Sequence, residues 1–127
     1  MIQQTYGSET NADLVVLESQ DIFDNDEAVA MLKKFYNNYF NGNYSDYWGF
    51  LKDNLTKSRY GRVEKNANQY DGDPFLGGPD DGREYKLISV KKMGDQKFKV
   101  VYEDVTYSET MTIIEYLVKE NGRYLIN

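Results

Sequence analysis

Residues 85–126, YKLISVKKMGDQKFKVVYEDVTYSETMTIIEYLVKENGRYLI, decide the fold class of this chain. Apolar and polar side chains alternate within four segments, 85–92, 97–105, 111–119 and 123–126, and this is the period of a β-strand. The turn signals Gly94-Asp95-Gln96 and Asn121-Gly122 separate the first and the last pair of segments. The pattern therefore predicts four antiparallel strands in a meander.

A long helix is predicted on the N-terminal side of these strands. Asp24 and Glu27 stand three residues apart, as in a capping box at a helix start. Apolar residues then recur at spacings of three and four until Gly42, which predicts the end of the helix.

Two shorter helices are predicted next, capped by Ser45 and by Thr56, and the second of them is expected to end near Ala67. Helices followed by a strand meander predict an α+β domain over residues 24–127. In this domain, the N-terminal helices pack in a curved four-stranded antiparallel sheet.

Charge is distributed unevenly along the 127 residues. The formal net charge is −6, and residues 1–32 contain seven acidic residues and neither Lys nor Arg. Residues 1–23 are therefore predicted to form an acidic leader, partly disordered, and an acidic docking segment for a basic partner is the alternative. No basic stripe with interleaved aromatic residues is present, so nucleic-acid binding is not expected.

The residue types that are missing exclude several classes of chemistry. The chain has no Cys and no His, so thiolate nucleophiles, serine triads and the usual zinc sites are excluded. No catalytic residue, metal or cofactor is predicted. No stretch approaches the roughly 20 apolar residues of a membrane span, and no signal peptide precedes the domain as written.

The densest group of carboxylates is DGDPFLGGPDDG at residues 71–82. It fails as an EF-hand loop because its fifth, sixth and twelfth positions lack the required ligand, glycine and glutamate. A structural loop is predicted, in which the carboxylates accept hydrogen bonds from backbone amides and the proline restricts the turn. The apolar pair is predicted to pack against the core and so anchor the loop. The residues concerned are Asp73, Pro74, Phe75, Leu76 and Asp80. A cation or a polar ligand held by the carboxylates is the alternative.

Tyrosine is unusually frequent, with twelve residues, and it suits positions where a buried ring meets a polar partner. Tyr102, Tyr116 and Tyr124 are predicted on the sheet face that points at the first helix. With Trp48 from the second helix, they are the candidate residues of a ligand pocket. The alternative is that their hydroxyls reach only water or the rim of the core.

The opposite, outer sheet face is predicted to be partly apolar. It is expected to carry Val101, Met111, Ile113, Leu117 and Leu125 beside lysines and the acidic residues Glu103 and Glu115. Such a face needs a cover, which residues 13–23 or a second copy of the chain can supply. We expect a homodimer through this outer face, with Lys97 and Lys99 meeting glutamates at its rim.

Three stretches carry a family resemblance: AVAMLKKFYNNYF at 28–40, DGDPFLGGPDD at 71–81 and KENGRYLIN at 119–127. The chain resembles the bacterial nuclear-transport-factor-2-like superfamily, in particular domain of unknown function 3828. The resemblance implies a cone-like, cystatin-like α+β fold around a pocket and frequent dimers through the sheet. It also implies a secreted, periplasmic or cell-envelope setting if a signal peptide was removed, and a cytoplasmic one otherwise. It implies no established activity.

The leading functional hypothesis is a non-enzymatic binding module whose pocket, between the first helix and the sheet, takes a small molecule or a peptide. An isomerase-like or hydrolase-like enzyme that uses an Asp or Glu with a Tyr is the first alternative. It needs a carboxylate inside the fold, and no inward strand position is predicted to be acidic. An inhibitor or immunity-type protein that binds its partner through the acidic leader is the second alternative.

Overall fold

The computed structural model describes residues 22–78 and 82–127. Within these ranges three helices precede four strands, and their bounds are α1 Asn25–Asn41, α2 Tyr47–Asn54, α3 Lys57–Gln69, β1 Tyr85–Gly94, β2 Lys97–Asp104, β3 Glu109–Glu120 and β4 Arg123–Ile126. The strands lie in the order β1-β2-β3-β4, and each neighbouring pair is antiparallel. The predicted α+β class and the four-stranded meander are therefore confirmed. Of the predicted leader, only Ile22 and Phe23 lie within the described residues.

Helix α1 begins and ends where the sequence predicts. The Asp24 carboxylate accepts hydrogen bonds from the backbone amides of Asp26 (2.9 Å) and Glu27 (3.1 Å), and Gly42 ends the helix with a left-handed φ of 64°. The Glu27 carboxylate accepts a hydrogen bond from the Tyr124 hydroxyl (2.9 Å). This bond ties the start of α1 to strand β4.

Helix α2 is capped by Asp46 and not by Ser45, so the predicted cap is wrong by one residue. Asp46 Oδ2 accepts a hydrogen bond from the Gly49 backbone amide at 2.7 Å. A Cβ atom at position 49 would lie 2.6 Å from this same oxygen. The glycine inside the helix therefore makes room for the capping carboxylate.

Helix α3 begins at the predicted cap, because Thr56 Oγ1 accepts a hydrogen bond from the Arg59 backbone amide (3.1 Å). The helix extends to Gln69, two residues beyond the predicted end. The Thr56 backbone amide donates to the Ile126 carbonyl (2.9 Å), so the connection between α2 and α3 is joined to β4. None of the described helices is both long enough and apolar enough to cross a membrane.

The hydrophobic core lies between α1 and the inner face of the sheet. Side chains from α1, the sheet, α2, α3 and the loop after α3 meet there. They include Leu32, Phe35, Tyr36, Leu51, Val63, Phe75, Phe98, Val100, Leu117 and Ile126. These side chains fill the middle of the space between α1 and the sheet, where the sequence predicts a pocket.

The predicted orientation of β3 is wrong. Glu115 pairs with Phe98 of β2, and both side chains point into the core, where Glu115 is only 1% exposed. Leu117 is also buried, while Ile114 and Tyr116 are exposed by 38% and 49%. Because alternate residues of a strand point to opposite faces, one misplaced residue places the whole strand the wrong way round.

The outer sheet face consequently differs from the predicted one. Ile113 and Leu117 belong to the inner side, as does Met111, which lines a small cavity beside Tyr102. The outer face carries a stripe of five apolar or aromatic side chains, Val101, Ile114, Tyr116, Val118 and Leu125. We call this set the outer stripe. Around it lie Lys86, Lys91, Lys97, Lys99 and Arg123 with the acidic residues Glu103 and Glu120, so the face is basic.

Candidate functional site

A cleft of about 490 Å³ opens at the C-terminal end of α1. The start of α2, the loop after α3 and the start of β1 form its other walls. Six of its lining side chains are aromatic, namely Tyr39, Phe40, Tyr44, Tyr47, Trp48 and Tyr85. The other described residues of the lining are Gly42, Gly72, Asp73, Pro74 and Arg83, and we call the whole the aromatic cleft.

The aromatic walls are held in place by other rings. Tyr44 stacks on Phe50 with ring centroids 5.0 Å apart, and Tyr47 meets Trp48 edge to face at 5.2 Å. Trp48 in turn packs edge to face against Tyr60 at 5.9 Å. Because each of these rings has an aromatic neighbour, the wall formed by α2 is preorganised for a planar or apolar ligand group.

A chain of hydrogen bonds runs along the floor of the aromatic cleft. The Tyr39 hydroxyl donates to Asp73 Oδ1 (2.6 Å) and lies 2.7 Å from the Tyr47 hydroxyl. Tyr39 has a single hydroxyl proton, which goes to Asp73, so Tyr47 must donate to Tyr39. Burial, followed by the charge of Asp73, raises the pKa of Tyr39 far above its ordinary value, and Tyr39 therefore stays neutral.

Asp73 also organises the loop that carries it. Its Oδ1 atom accepts hydrogen bonds from the backbone amides of Phe75 (2.9 Å) and Leu76 (2.8 Å) in addition to the Tyr39 hydroxyl. Within the described part of the chain, Oδ2 has no hydrogen-bond partner and neither oxygen has a cationic one. One carboxylate oxygen thus stabilises the fold, and no cationic side chain of residues 22–78 or 82–127 offsets the charge.

The other residues of the predicted structural loop lie close to Asp73. Phe75 is 8% exposed, and its ring contacts Phe35 and Tyr39 in the core at centroid distances of 5.3 and 5.2 Å. Leu76 is half-buried against the same core, and Pro74 lines the aromatic cleft. Asp80 lies outside the described residues.

The positive charge at the aromatic cleft is already paired. Arg83 Nη1 donates to Asp104 Oδ2 at 3.2 Å, and Asp104 is almost fully buried. The Arg83 guanidinium also lies 4.4 Å from the ring centroid of Tyr107. Of the two charged side chains in the described lining, Asp73 is thus the one without an ionic partner among the described residues.

The structure separates the four side chains that the sequence predicts to share one pocket. Trp48 lines the aromatic cleft, whereas Tyr102 borders a different cavity of about 180 Å³. Burial, with a smaller effect of Tyr85, raises the pKa of Tyr102 to about 12. Tyr124 lines a third cavity of about 400 Å³ beside the middle of α1, and Tyr116 lies on the outer face. Trp48 is thus the one predicted pocket residue at the cleft.

A buried polar cluster lies under the sheet. Glu115 accepts a hydrogen bond from the Tyr36 hydroxyl and one from Arg59 Nη1, the latter at 2.9 Å. Arg59 also donates to the Asn127 carbonyl (3.2 Å) and lies over the ring of Phe75 at 4.9 Å. Burial, followed by the charge of Glu115, raises the pKa of Tyr36 well above its ordinary value. The expectation that no acidic side chain points inward is therefore wrong.

Sequence reasoning missed most of the aromatic cleft. Tyr39 is predicted correctly on the buried face of the first helix, but its hydroxyl contacts are not foreseeable from helical periodicity. The signal that was present is YSDYW at residues 44–48, three aromatic residues around a helix cap.

Comparisons of the chain with protein-family models, with curated proteins and with solved structures find no significant match. Across residues 22–78 and 82–127, no group of three or more acidic side chains is arranged to hold a metal ion.

Proposed function

We propose that the chain is a non-enzymatic binding module that holds a small molecule or a peptide in the aromatic cleft. The observation that carries this proposal is the cleft itself, whose volume of about 490 Å³ falls within the usual range of ligand sites. Rigid aromatic walls with a few polar groups are the typical lining of such sites. The resemblance to pocket-bearing domains of the nuclear-transport-factor-2-like superfamily agrees with a binding role and remains part of the proposal.

Trp48 provides a direct test because it is the single tryptophan of the chain and lines the aromatic cleft. We expect a screen of small molecules and short peptides to give ligands that change the fluorescence of Trp48 in the wild-type protein. Tyr44→Ala removes one aromatic wall and is expected to weaken these ligands about three- to tenfold. Tyr70→Ala, an exposed tyrosine outside the cleft, is the control. Equal affinities for Tyr44→Ala and wild type would contradict the proposed site.

The enzyme alternative requires an acidic residue beside a tyrosine, and the aromatic cleft contains such a pair, Asp73 with Tyr39. A binding role is favoured because Oδ1 of Asp73 is engaged by three donors and the Tyr39 proton is directed at that oxygen. The second such pair, Tyr36 with Glu115, is sealed in the core and cannot touch a substrate. Turnover of a cleft ligand by the wild-type protein, lost in Asp73→Asn, would favour the enzyme.

Two expectations concern residues that the structure does not describe. The inhibitor or immunity hypothesis rests on the acidic leader, and the alternative cover for the outer face rests on residues 13–23, of which all but Ile22 and Phe23 lie outside the described ranges. Both stay predictions from the sequence, as does the assignment of a cellular compartment.

We also propose that the chain forms a homodimer through its outer sheet face. The outer stripe presents Ile114 and Tyr116 to solvent, and full burial of a large apolar side chain contributes about 1.5 to 3 kcal/mol. The buried Glu115 cannot contribute to the rim, so Lys97 and Lys99 would meet Glu103 of the other protomer. Basic residues outnumber acidic ones on this face, and screening of their repulsion by salt should therefore strengthen the dimer.

Ile114→Lys places a charge in the middle of the outer stripe and is expected to convert the dimer into a monomer. Light scattering at micromolar concentration should then give the chain mass of 14.8 kDa for the variant and twice that mass for the wild type. Met93→Lys, an exposed residue near the end of β1 and outside the stripe, is the control and should stay dimeric. A wild-type protein of 14.8 kDa would overturn the proposed dimer.

A further inference from the structure

We infer that the aromatic cleft selects an organic cation, namely an ammonium or guanidinium group carried by a small molecule or by a peptide side chain. This inference rests on the proposed binding function and adds the charge and the hydrogen-bonding character of the ligand. Three independent features of the cleft lead to it.

The first feature is the balance of charge. Among the described residues, the charged side chains that line the cleft are Asp73 and Arg83. Arg83 is paired with the buried Asp104, whereas Asp73 has no cationic partner in the described part of the chain. The charge of Asp73 also contributes to the raised pKa of Tyr39 on the cleft floor. An anionic ligand would therefore be repelled and a cationic one attracted.

The second feature is the direction of the hydrogen bonds on the cleft floor. The protons of Tyr47 and Tyr39 point along the chain toward Asp73, so neither proton is directed at a ligand in the cleft. The Oδ2 atom of Asp73 is an acceptor without a hydrogen-bond partner among the described residues. Ammonium and guanidinium groups carry only donors, and this carboxylate acceptor complements them. A carboxylate or phosphate ligand would place its acceptor oxygens against the acceptor oxygens of Asp73, with no proton to share between them.

The third feature is the set of aromatic faces around this floor. The negative face of an aromatic ring attracts a cation that lies within about 6 Å of its centroid, most strongly for tryptophan and tyrosine. Trp48, Tyr44 and Tyr85 supply such rings on two sides of the cleft. The chain uses the same interaction elsewhere, since Arg59 lies 4.9 Å over Phe75. The aromatic walls and the floor of the cleft therefore both favour a cationic ligand.

The test uses two pairs of probes that are matched in shape and differ in charge. Phenethylamine is compared with phenethyl alcohol, and the capped tripeptide Gly-Lys-Gly with capped Gly-norleucine-Gly. Binding to the wild-type protein is followed by Trp48 fluorescence and by calorimetry at low salt. The cationic member of at least one pair is expected to bind about tenfold more tightly than its neutral match. The pair that shows this preference distinguishes a small-molecule source from a peptide source.

The variant Asp73→Asn tests whether the Asp73 carboxylate causes the preference for the cationic probe. The amide oxygen can still accept from the backbone amides of Phe75 and Leu76, while the charge is removed, so the thermal unfolding temperature should change little. The preference for the cationic probe is expected to disappear. Asp71→Asn removes an equal charge from an exposed neighbour outside the cleft and should keep the preference.

The outcomes separate this inference from the proposed function. If neutral and cationic probes bind the wild-type protein equally well, the cation inference is overturned and the binding function stands. If Asp71→Asn removes the preference as fully as Asp73→Asn does, the assignment to Asp73 is overturned. If neither member of either pair changes Trp48 fluorescence or produces heat, the cation inference fails, and the screen with Tyr44→Ala then decides the binding function. If Asp73→Asn does not fold, the comparison of probes on the wild-type protein decides alone.

Discussion

Replacing Arg59 with methionine is expected to lower the free energy of unfolding by about 3 to 5 kcal/mol. Arg59 is the cationic partner of Glu115, which is 1% exposed and has Tyr36 as its other hydrogen-bond donor. Methionine fills a similar length but leaves a buried carboxylate without a counter-charge. The loss is measured by urea unfolding at pH 7, as a change in the midpoint at constant slope.

The matched control replaces the whole cluster with apolar side chains. In the triple variant Tyr36→Phe, Arg59→Met and Glu115→Leu, no polar group of the cluster is left unpaired, and replacement of a buried ion pair in this way is often neutral. We expect the triple variant to recover most of the stability that the single variant loses. A loss below about 1 kcal/mol for Arg59→Met would mean that the pair behaves like an exposed surface salt bridge.

The same cluster explains why the orientation of β3 could not be predicted. The segment TIIEYLV at residues 112–118 has apolar side chains on both faces, so alternation alone does not decide which face is buried. Placing Glu115 outside is the reasonable choice because a buried carboxylate is costly without partners. Its partners are 56 and 79 residues away in the sequence, and no local pattern indicates them.

Features that depend on neighbouring residues were predictable. The Asp24 cap, the glycine end at Gly42 and the Thr56 cap appear as expected, because each uses bonds within a few residues. The Asn121-Gly122 turn has positive φ at both residues, as a two-residue hairpin requires. These local signals fix the elements and the meander.

The candidate site depends on contacts between distant segments. Of the predicted pocket residues only Trp48 lies there, while Asp73 was predicted in a structural loop, with a bound cation or polar ligand as the alternative. The aromatic cleft forms where the ends of α1 and β1 meet the start of α2 and the loop after α3. Tyr39 and Asp73, whose hydrogen bond joins two of these segments, are 34 residues apart. The position of such a cleft follows from the packing of the elements, which the periodicity of each element does not specify.

Replacing Phe75 with alanine is expected to lower the free energy of unfolding by about 3 to 5 kcal/mol. The ring is 8% exposed and contacts Phe35, Tyr36 and Tyr39 at centroid distances between 5.2 and 6.0 Å, so its removal opens a cavity in the core. The loss would be a large part of the roughly 5 to 15 kcal/mol that stabilises a typical domain. Thermal and urea unfolding measure it, with Asp71→Ala on the exposed side of the same loop as the control.

Phe75 also couples the stability of the loop to the aromatic cleft, because its backbone amide donates to the Asp73 oxygen that holds Tyr39. Phe75→Leu restores much of the lost volume and is expected to recover more than half of the stability, since a smaller cavity costs less. It should also keep ligand binding at the cleft, whereas Phe75→Ala should weaken both. A Phe75→Ala protein as stable as the wild type would show that the loop is a surface feature. In that case Asp73 would be positioned by its own turn alone, and the core would have no part in shaping the cleft.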